Sequence, residues 1–304
     1  MIVLTVDVSY WDVPSHVPYH LFKQWGVELV IIKSSMGGGI DQRCLEHAKL
    51  ARAAGLKVGL YHWVDPIQDW DRQSGFFFQQ IDAVEPEVLA LDIEQWWANW
   101  YKWQKYIAGQ LPNAEVPRTT SDKVIGSYIR VQSNVLDRYG SSIPKKRVLS
   151  YTGRWYTQMF QGLGIALSGD EIWIADYNLS RTIIESRFDG RVKLSEEEFV
   201  TWYDELYQEL EDGVYDGVPL MPDHNQVPPR LWQVDSIVWP PGSSENLDLS
   251  IYNDTIEPFN EWLDGDEEPE PTPEPAPVPD LVSLMVYLST ANDLAKAIEN
   301  SLGG

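Results

Sequence analysis

Four apolar runs in the first 94 residues alternate with amphipathic stretches, and this alternation constrains the fold more than any other feature of the chain. The runs Ile2–Val8, Val27–Lys33, Lys57–Trp63 and Val88–Glu94 are short and rich in branched aliphatics, the pattern of buried strands. Between them Tyr19–Gln24, Arg43–Ala54 and Asp69–Ala83 read as helices, the second stopped by Gly55. Strands that alternate with helices run parallel, with the helices outside. Further along, Ser121–Tyr139 reads as a helix, and strands are expected at Arg147–Tyr151, Glu171–Asp176, Leu231–Val234 and Asn246–Ile251. In parallel barrels the C-terminal strand ends carry the chemistry. Here the first four strands end in Asp7, Lys33, Tyr61 with Trp63, and Asp92 with Glu94, residues that packing alone does not call for.

The run Val88-Leu89-Ala90-Leu91-Asp92-Ile93-Glu94 has the sharpest chemistry. Side chains alternate along a strand, so Leu91 and Ile93 share one face while Asp92 and Glu94 share the other, about 7 Å apart. Two carboxylates this close titrate apart, one donating a proton while the other stays charged, as a glycosidase requires. The plainer alternative is a pair of acids capping a strand end in water. The following stretch, Gln95 to Trp103, carries Trp96, Trp97, Trp100, Tyr101 and Trp103. Such rings either stack on sugar faces or pack the loop against the barrel, and Trp96 is the expected ligand contact among them.

Charge and composition exclude several classes. The chain's net charge of −23 is concentrated in segments 195–216 and 261–280, which hold nine and eight Asp/Glu and no Lys or Arg. A nucleic-acid partner is excluded by the lack of a basic surface. No stretch approaches the roughly 20 apolar residues of a membrane span. The single cysteine, Cys44, rules out an internal disulfide or a cysteine metal site, and no cofactor or metal is expected. Gly37-Gly38-Gly39 lacks the lysine and spacing of a phosphate loop. His62 has no second ligand at metal spacing and reads as a core hydrogen-bonding residue. Lys33 reads as an ion-pair partner of Asp7 or a neighbour rather than a catalytic group. Met1–Val8 reads as a strand and not as a signal peptide, so synthesis in the cytosol is expected.

The domain plan is a barrel over 1–262 with an insertion at 181–229, an acidic Pro-rich linker at 263–280 and an amphipathic C-terminal helix at 281–304. The linker alternates Glu with Pro and is extended and stiff. Leu281, Leu284, Leu288, Ala291, Ala295, Ile298 and Leu302 then follow heptad spacing. A helix this short is marginal alone, so a homo-oligomer formed through 281–302 is expected, or docking on another surface.

Taken in order, these pieces resemble family 25 glycoside hydrolases, the Chalaropsis-type lysozymes. The matching segments are Asp7-Val8-Ser9, Ile32-Lys33-Ser34 with Asp41, Ala53 to His62, Leu91-Asp92-Ile93-Glu94, Leu149-Ser150-Tyr151-Thr152, Ile172-Trp173-Ile174-Ala175, Leu231-Trp232-Gln233 and Leu247-Asp248. The resemblance implies an α/β, TIM-like (β/α) barrel of eight strands whose last strands lack helices. It implies peptidoglycan glycan strands as substrate, cut at the β-1,4 bond between N-acetylmuramic acid and N-acetylglucosamine. By the same resemblance Glu94 is the general acid, Asp92 steadies the N-acetyl group or the cationic transition state, and Asp7 and Asp248 are further cleft acids. Tyr61, Trp63, Trp96, Tyr151, Trp232 and Gln233 are the expected substrate contacts, joined by Asp176, which ends the sixth expected strand at a position the family does not fix. Holin-type release or a place in a virion is the expected route to the wall. The alternatives are a catalytically silent glycan-binding or virion structural barrel, or a hydrolase of another N-acetylated glycan such as chitin.

Overall fold

The computed structural model describes residues 3–66, 68–93, 121–153, 172–175, 178–211, 230–236, 238–239, 246–252 and 256–264. Its strands are β1 (Val3–Val8), β2 (Val27–Met36), β3 (Gly39–Ile40), β4 (Lys57–Trp63), β5 (Val88–Asp92), β6 (Val148–Gly153), β7 (Ile172–Ala175), β8 (Leu231–Asp235) and β9 (Asp248–Tyr252). They hydrogen-bond in the order β1-β9-β8-β7-β6-β5-β4-β2-β3, and a β1–β2 pairing closes the ring. β3 is a two-residue strand folded back on β2, which leaves eight strands in the closed barrel. Gly37 and Gly38 form the turn of that hairpin, and Gly39 opens β3. Gly37 has φ +45, and a Cβ there would lie 2.8 Å from Asp65 Cβ, so only glycine fits.

The helices are α1 (Tyr19–Phe22), α2 (Cys44–Ala53), α3 (Trp70–Val84), α4 (Ser121–Tyr139), α5 (Asn178–Arg187), α6 (Glu196–Glu211) and α7 (Ile256–Asp264). Local chemistry sets their ends. The Asp69 side chain accepts from the Arg72 amide at 2.8 Å to start α3, and Gly55 at φ +78 releases the chain after α2. No helix among the described residues is long and apolar enough to cross a membrane.

Strand alternation sorts the core into two layers. Val3, Leu29, Ile31, Val88, Ala90, Leu149, Trp173, Ala175, Leu231 and Tyr252 fill the barrel. Leu4, Val6, Val30, Ile32, Leu60, Leu89, Leu91, Ile93, Ile174, Val234 and Leu249 pack outward beneath the helices. Phe259, Trp262 and Leu263 of α7 join the inner layer. The Trp262 indole donates to the Lys146 carbonyl at 2.9 Å and Arg147 donates to the Leu263 carbonyl at 2.7 Å. Because Lys146 and Arg147 precede β6, α7 closes the barrel at the N-terminal ends of its parallel strands. Among the described residues, only the opposite end is left as a mouth.

One barrel strand departs from the parallel order of the others. β9 runs antiparallel to both β8 and β1. A parallel return requires a crossover of a dozen or more residues, usually helical. The stretch between Asp235 and Asp248 carries Pro240, Pro241 and Gly242 instead of a helical run. The outer faces of β1 and β9 meet α6, where Phe199 and Trp202 share an apolar gap with Leu4, Val6, Leu247 and Leu249. The expected insertion thus supplies, through α6, cover for the seam between β1 and β9, while α5 packs on β8 and α6.

The chain divides into two compact units, Met1–Gly265 and Asp266–Gly304. The barrel is the first, and α7 continues to Asp264, past the expected boundary at 262. Residues 212–229 of the insertion, the linker from 265 onward and the heptad segment 281–302 lie outside the described residues.

Candidate active site

Asp7, the fifth of six residues in β1, and Asp92, the last of β5, both fall on the inward face. Both are buried, at 8% and 4% exposure. Asp248 reaches the same mouth by a different route. It opens β9, and the reversed direction of that strand sets it directly opposite Asp7 in the ladder, where facing side chains share one surface.

Burial first, and then the Asp248 carboxylate, raise the Asp7 pKa well above its ordinary value. Asp12 and Asp92 push the same way, and a hydrogen bond from Gln233 opposes them. That bond runs from Gln233 Nε2 to Asp7 Oδ2 at 2.7 Å. The other end of the amide accepts from the Tyr151 hydroxyl at 2.7 Å, which orients the nitrogen toward the acid. Tyr151, Gln233 and Asp7 therefore form one relay across the mouth from β6 through β8 to β1.

An aromatic floor lies below. Trp173 meets Tyr151 edge-on at 4.5 Å and Tyr61 at 6.5 Å between ring centroids, and its indole donates to Ser250 Oγ at 2.9 Å. Lys33 makes no ion pair with Asp7 among the described residues. Its Nζ lies 4.7 Å from the Trp63 ring centroid and 5.8 Å from that of Tyr61, a cation over two aromatic faces. His62 points the other way, into the outer layer. Its ring bonds to Ser35 Oγ at 2.8 Å and Gln73 Oε1 at 3.1 Å. Burial pushes its pKa down to about 4. Neutral and doubly bonded, it ties β2, β4 and α3 together.

The structure thus brings Asp7, Asp92, Asp248, Tyr61, Trp63, Tyr151 and Gln233 to the inward face near one mouth. It does not bring Trp232. That residue is next to Gln233 in β8, so it faces the opposite way and packs in the outer layer. Glu94, Trp96 and Asp176 lie outside the described residues. Trp173 and Ser250 are the contributors that sequence reasoning passed over. Their inward parity with Ala175 and Tyr252 was the available signal. Among the described residues, no group of three or more His, Cys, Asp or Glu side chains is placed to hold a metal ion.

A closed, mostly parallel barrel, sealed at one end and carrying buried carboxylates with aromatic rings at the other, defines the class of a glycoside hydrolase. The sequence pattern described as "Glycosyl hydrolases family 25" matches residues 6–202. The chain belongs to that family. Curated proteins provide no match. Among solved structures, the catalytic domain of an endolysin from bacteriophage P40 of Listeria monocytogenes is similar, with 19% identity, TM-score 0.54, and coverage of 86% of this chain and 97% of that one. A family 25 glycosyl hydrolase from Bacillus anthracis shares 15% identity at TM-score 0.53, covering 86% and 93%. A family GH25 lysozyme from Aspergillus fumigatus shares 16% at TM-score 0.52, covering 86% and 99%.

Proposed function

We propose that this glycoside hydrolase is an N-acetylmuramidase that cuts peptidoglycan between N-acetylmuramic acid and N-acetylglucosamine. The observation that carries this reading is the grouping of Asp7, Asp92 and Asp248 at the mouth, with Glu94 two positions after Asp92 in the sequence. The likeness in fold to an endolysin catalytic domain and to a lysozyme supports the choice of substrate. In the proposed reaction Glu94 gives its proton to the glycosidic oxygen as the C1–O4 bond breaks. The Asp92 carboxylate steadies the N-acetyl group or the positive charge that grows at C1. A D-x-E pair suits assistance by the substrate's own N-acetyl oxygen, a recognised departure from the two-carboxylate scheme. Water then adds at C1 and its proton returns to Glu94. The relay through Gln233 keeps Asp7 in place at the cleft wall.

The test compares release of reducing ends from peptidoglycan and from chitin by wild type and Glu94→Gln. Peptidoglycan should be cut and chitin spared. The variant should lose about a hundred-fold or more in turnover, the usual contribution of a general acid, while its unfolding temperature stays at the wild-type value. Preference for chitin would overturn the substrate, and a fully active variant would remove Glu94 from the acid role.

A further inference from the structure

Just past Asp7 the chain raises two aromatic rings into water. Trp11 is 79% exposed and Tyr10 50%, and their rings meet edge-on at 5.7 Å. Exposing an indole to this extent forgoes the gain of burial, and a slack loop tip would account for it. This loop is not slack. The Ser9 amide donates to Asp12 Oδ2 at 2.7 Å and the Asp12 amide returns to the Ser9 carbonyl at 3.0 Å. The Tyr10 amide donates to Asp41 Oδ2 at 2.8 Å. Arg43 holds its guanidinium 4.8 Å from the Tyr10 ring centroid and donates to the carbonyls of Tyr10 and Asp12. His47 Nε2 contacts the Asp12 carbonyl at 3.1 Å, and His47 is itself anchored by the buried Tyr19 hydroxyl.

The position of the loop is equally defined. It leaves the mouth end of β1 and is tied to Asp41, whose own amide donates to the Ser34 carbonyl of β2 at 2.8 Å. The loop that carries the rings therefore sits at the rim between β1 and β2, three and four residues past Asp7 at the mouth end of its strand. A polymeric substrate extends beyond the two sugars it is cut between and must cross such a rim. A fixed aromatic face complements the C–H face of a sugar ring, and its rigidity limits the entropy lost on contact.

We propose that Tyr10 and Trp11 form an aromatic shelf that stacks on a sugar ring further along the bound glycan strand, outside the acid cluster. The shelf rests on the reading of a glycan polymer as substrate, but not on where that polymer is cut. It accounts for an exposed indole held by a loop so fully bonded.

The experiment measures binding apart from turnover. Full-length Glu94→Gln protein, with and without Trp11→Ala or Trp11→Phe, is titrated with purified peptidoglycan glycan strands freed of stem peptides. Trp11→Ala should raise Kd about ten-fold, equivalent to about 1.4 kcal/mol, and Trp11→Phe should stay within about three-fold of its parent, since it keeps a stacking face. Unfolding temperatures should agree among the variants. Equal Kd for Trp11→Ala and its parent overturns the shelf, as does a complete lack of strand binding in the parent. Wild-type protein that fails to release reducing ends, while the Trp11 difference in binding persists, would overturn the muramidase reading and leave the shelf standing.

Discussion

At the residue scale, two buried groups make stability depend on pH in opposite senses. His62 titrates near 6.5 when unfolded and near 4 when folded. Between those values the unfolded chain binds the extra proton, so stability is complete above about pH 6.5 and is lost as pH falls toward 4. The full swing is on the order of 3 kcal/mol. Asp7 is shifted upward by burial and by Asp248, so above pH 3.8 the folded chain keeps a proton that the unfolded chain has released. Its contribution therefore declines as pH rises from 3.8 through the folded pKa. Asn at position 7 still accepts from Gln233 and carries no charge. Chemical denaturation across this range should show Asp7→Asn growing more stable relative to wild type as pH rises. His62→Gln should flatten the loss on the acid side. A parallel offset at every pH for either variant would remove that residue from the pH dependence.

At the scale of elements, the seam between β1 and β9 is where this barrel is most exposed to failure. The two strands meet out of sequence order and take their outer cover from α6. Trp202 is fully buried there, with Phe199 at 5.4 Å and Trp25 beyond it. Trp202→Ala leaves a cavity under the seam and should reduce unfolding free energy by about 3–5 kcal/mol, read from urea denaturation. Since Asp7 and Asp248 face each other on these same two strands, loosening the seam should also lower activity below the melting transition. A variant that loses stability but keeps full turnover at low temperature would show that the seam holds its geometry without α6.

At the scale of the whole molecule, the charge distribution and the two-unit division bear on assembly. Residues 281–302 carry an apolar seam and follow an acidic, proline-rich stretch. Isolated helices of that length gain little from propensity alone, whereas burial of the seam against copies of itself is favourable. Light scattering of the full chain at micromolar concentration should give an oligomer, and a chain ending at Asp264 should give a monomer. Equal monomer masses for the two would end the self-association idea.

Much of this protein was determined by local sequence. The β/α alternation, the extents of β1, β4 and α4, the parity that aims Asp7 and Asp92 inward, and the core role of His62 follow from side-chain periodicity, which is a property of neighbours along the chain. Tertiary structure decided what depends on partners distant in sequence. The reversal of β9 placed Asp248 at the mouth by the opposite end of its strand, and no strand-end rule for parallel barrels anticipates that. The relay from Tyr151 through Gln233 to Asp7 joins residues 82 and 226 positions apart. Trp232 shows the limit of a motif read as a unit, because its neighbour Gln233 faces the acids and alternation turns Trp232 away. Lys33 read as an ion-pair partner because charge is visible in a sequence, whereas the rings of Trp63 and Tyr61 that hold it are assembled by the barrel. Periodicity tells a side chain which face it takes, and only closure of the barrel determines what it meets there.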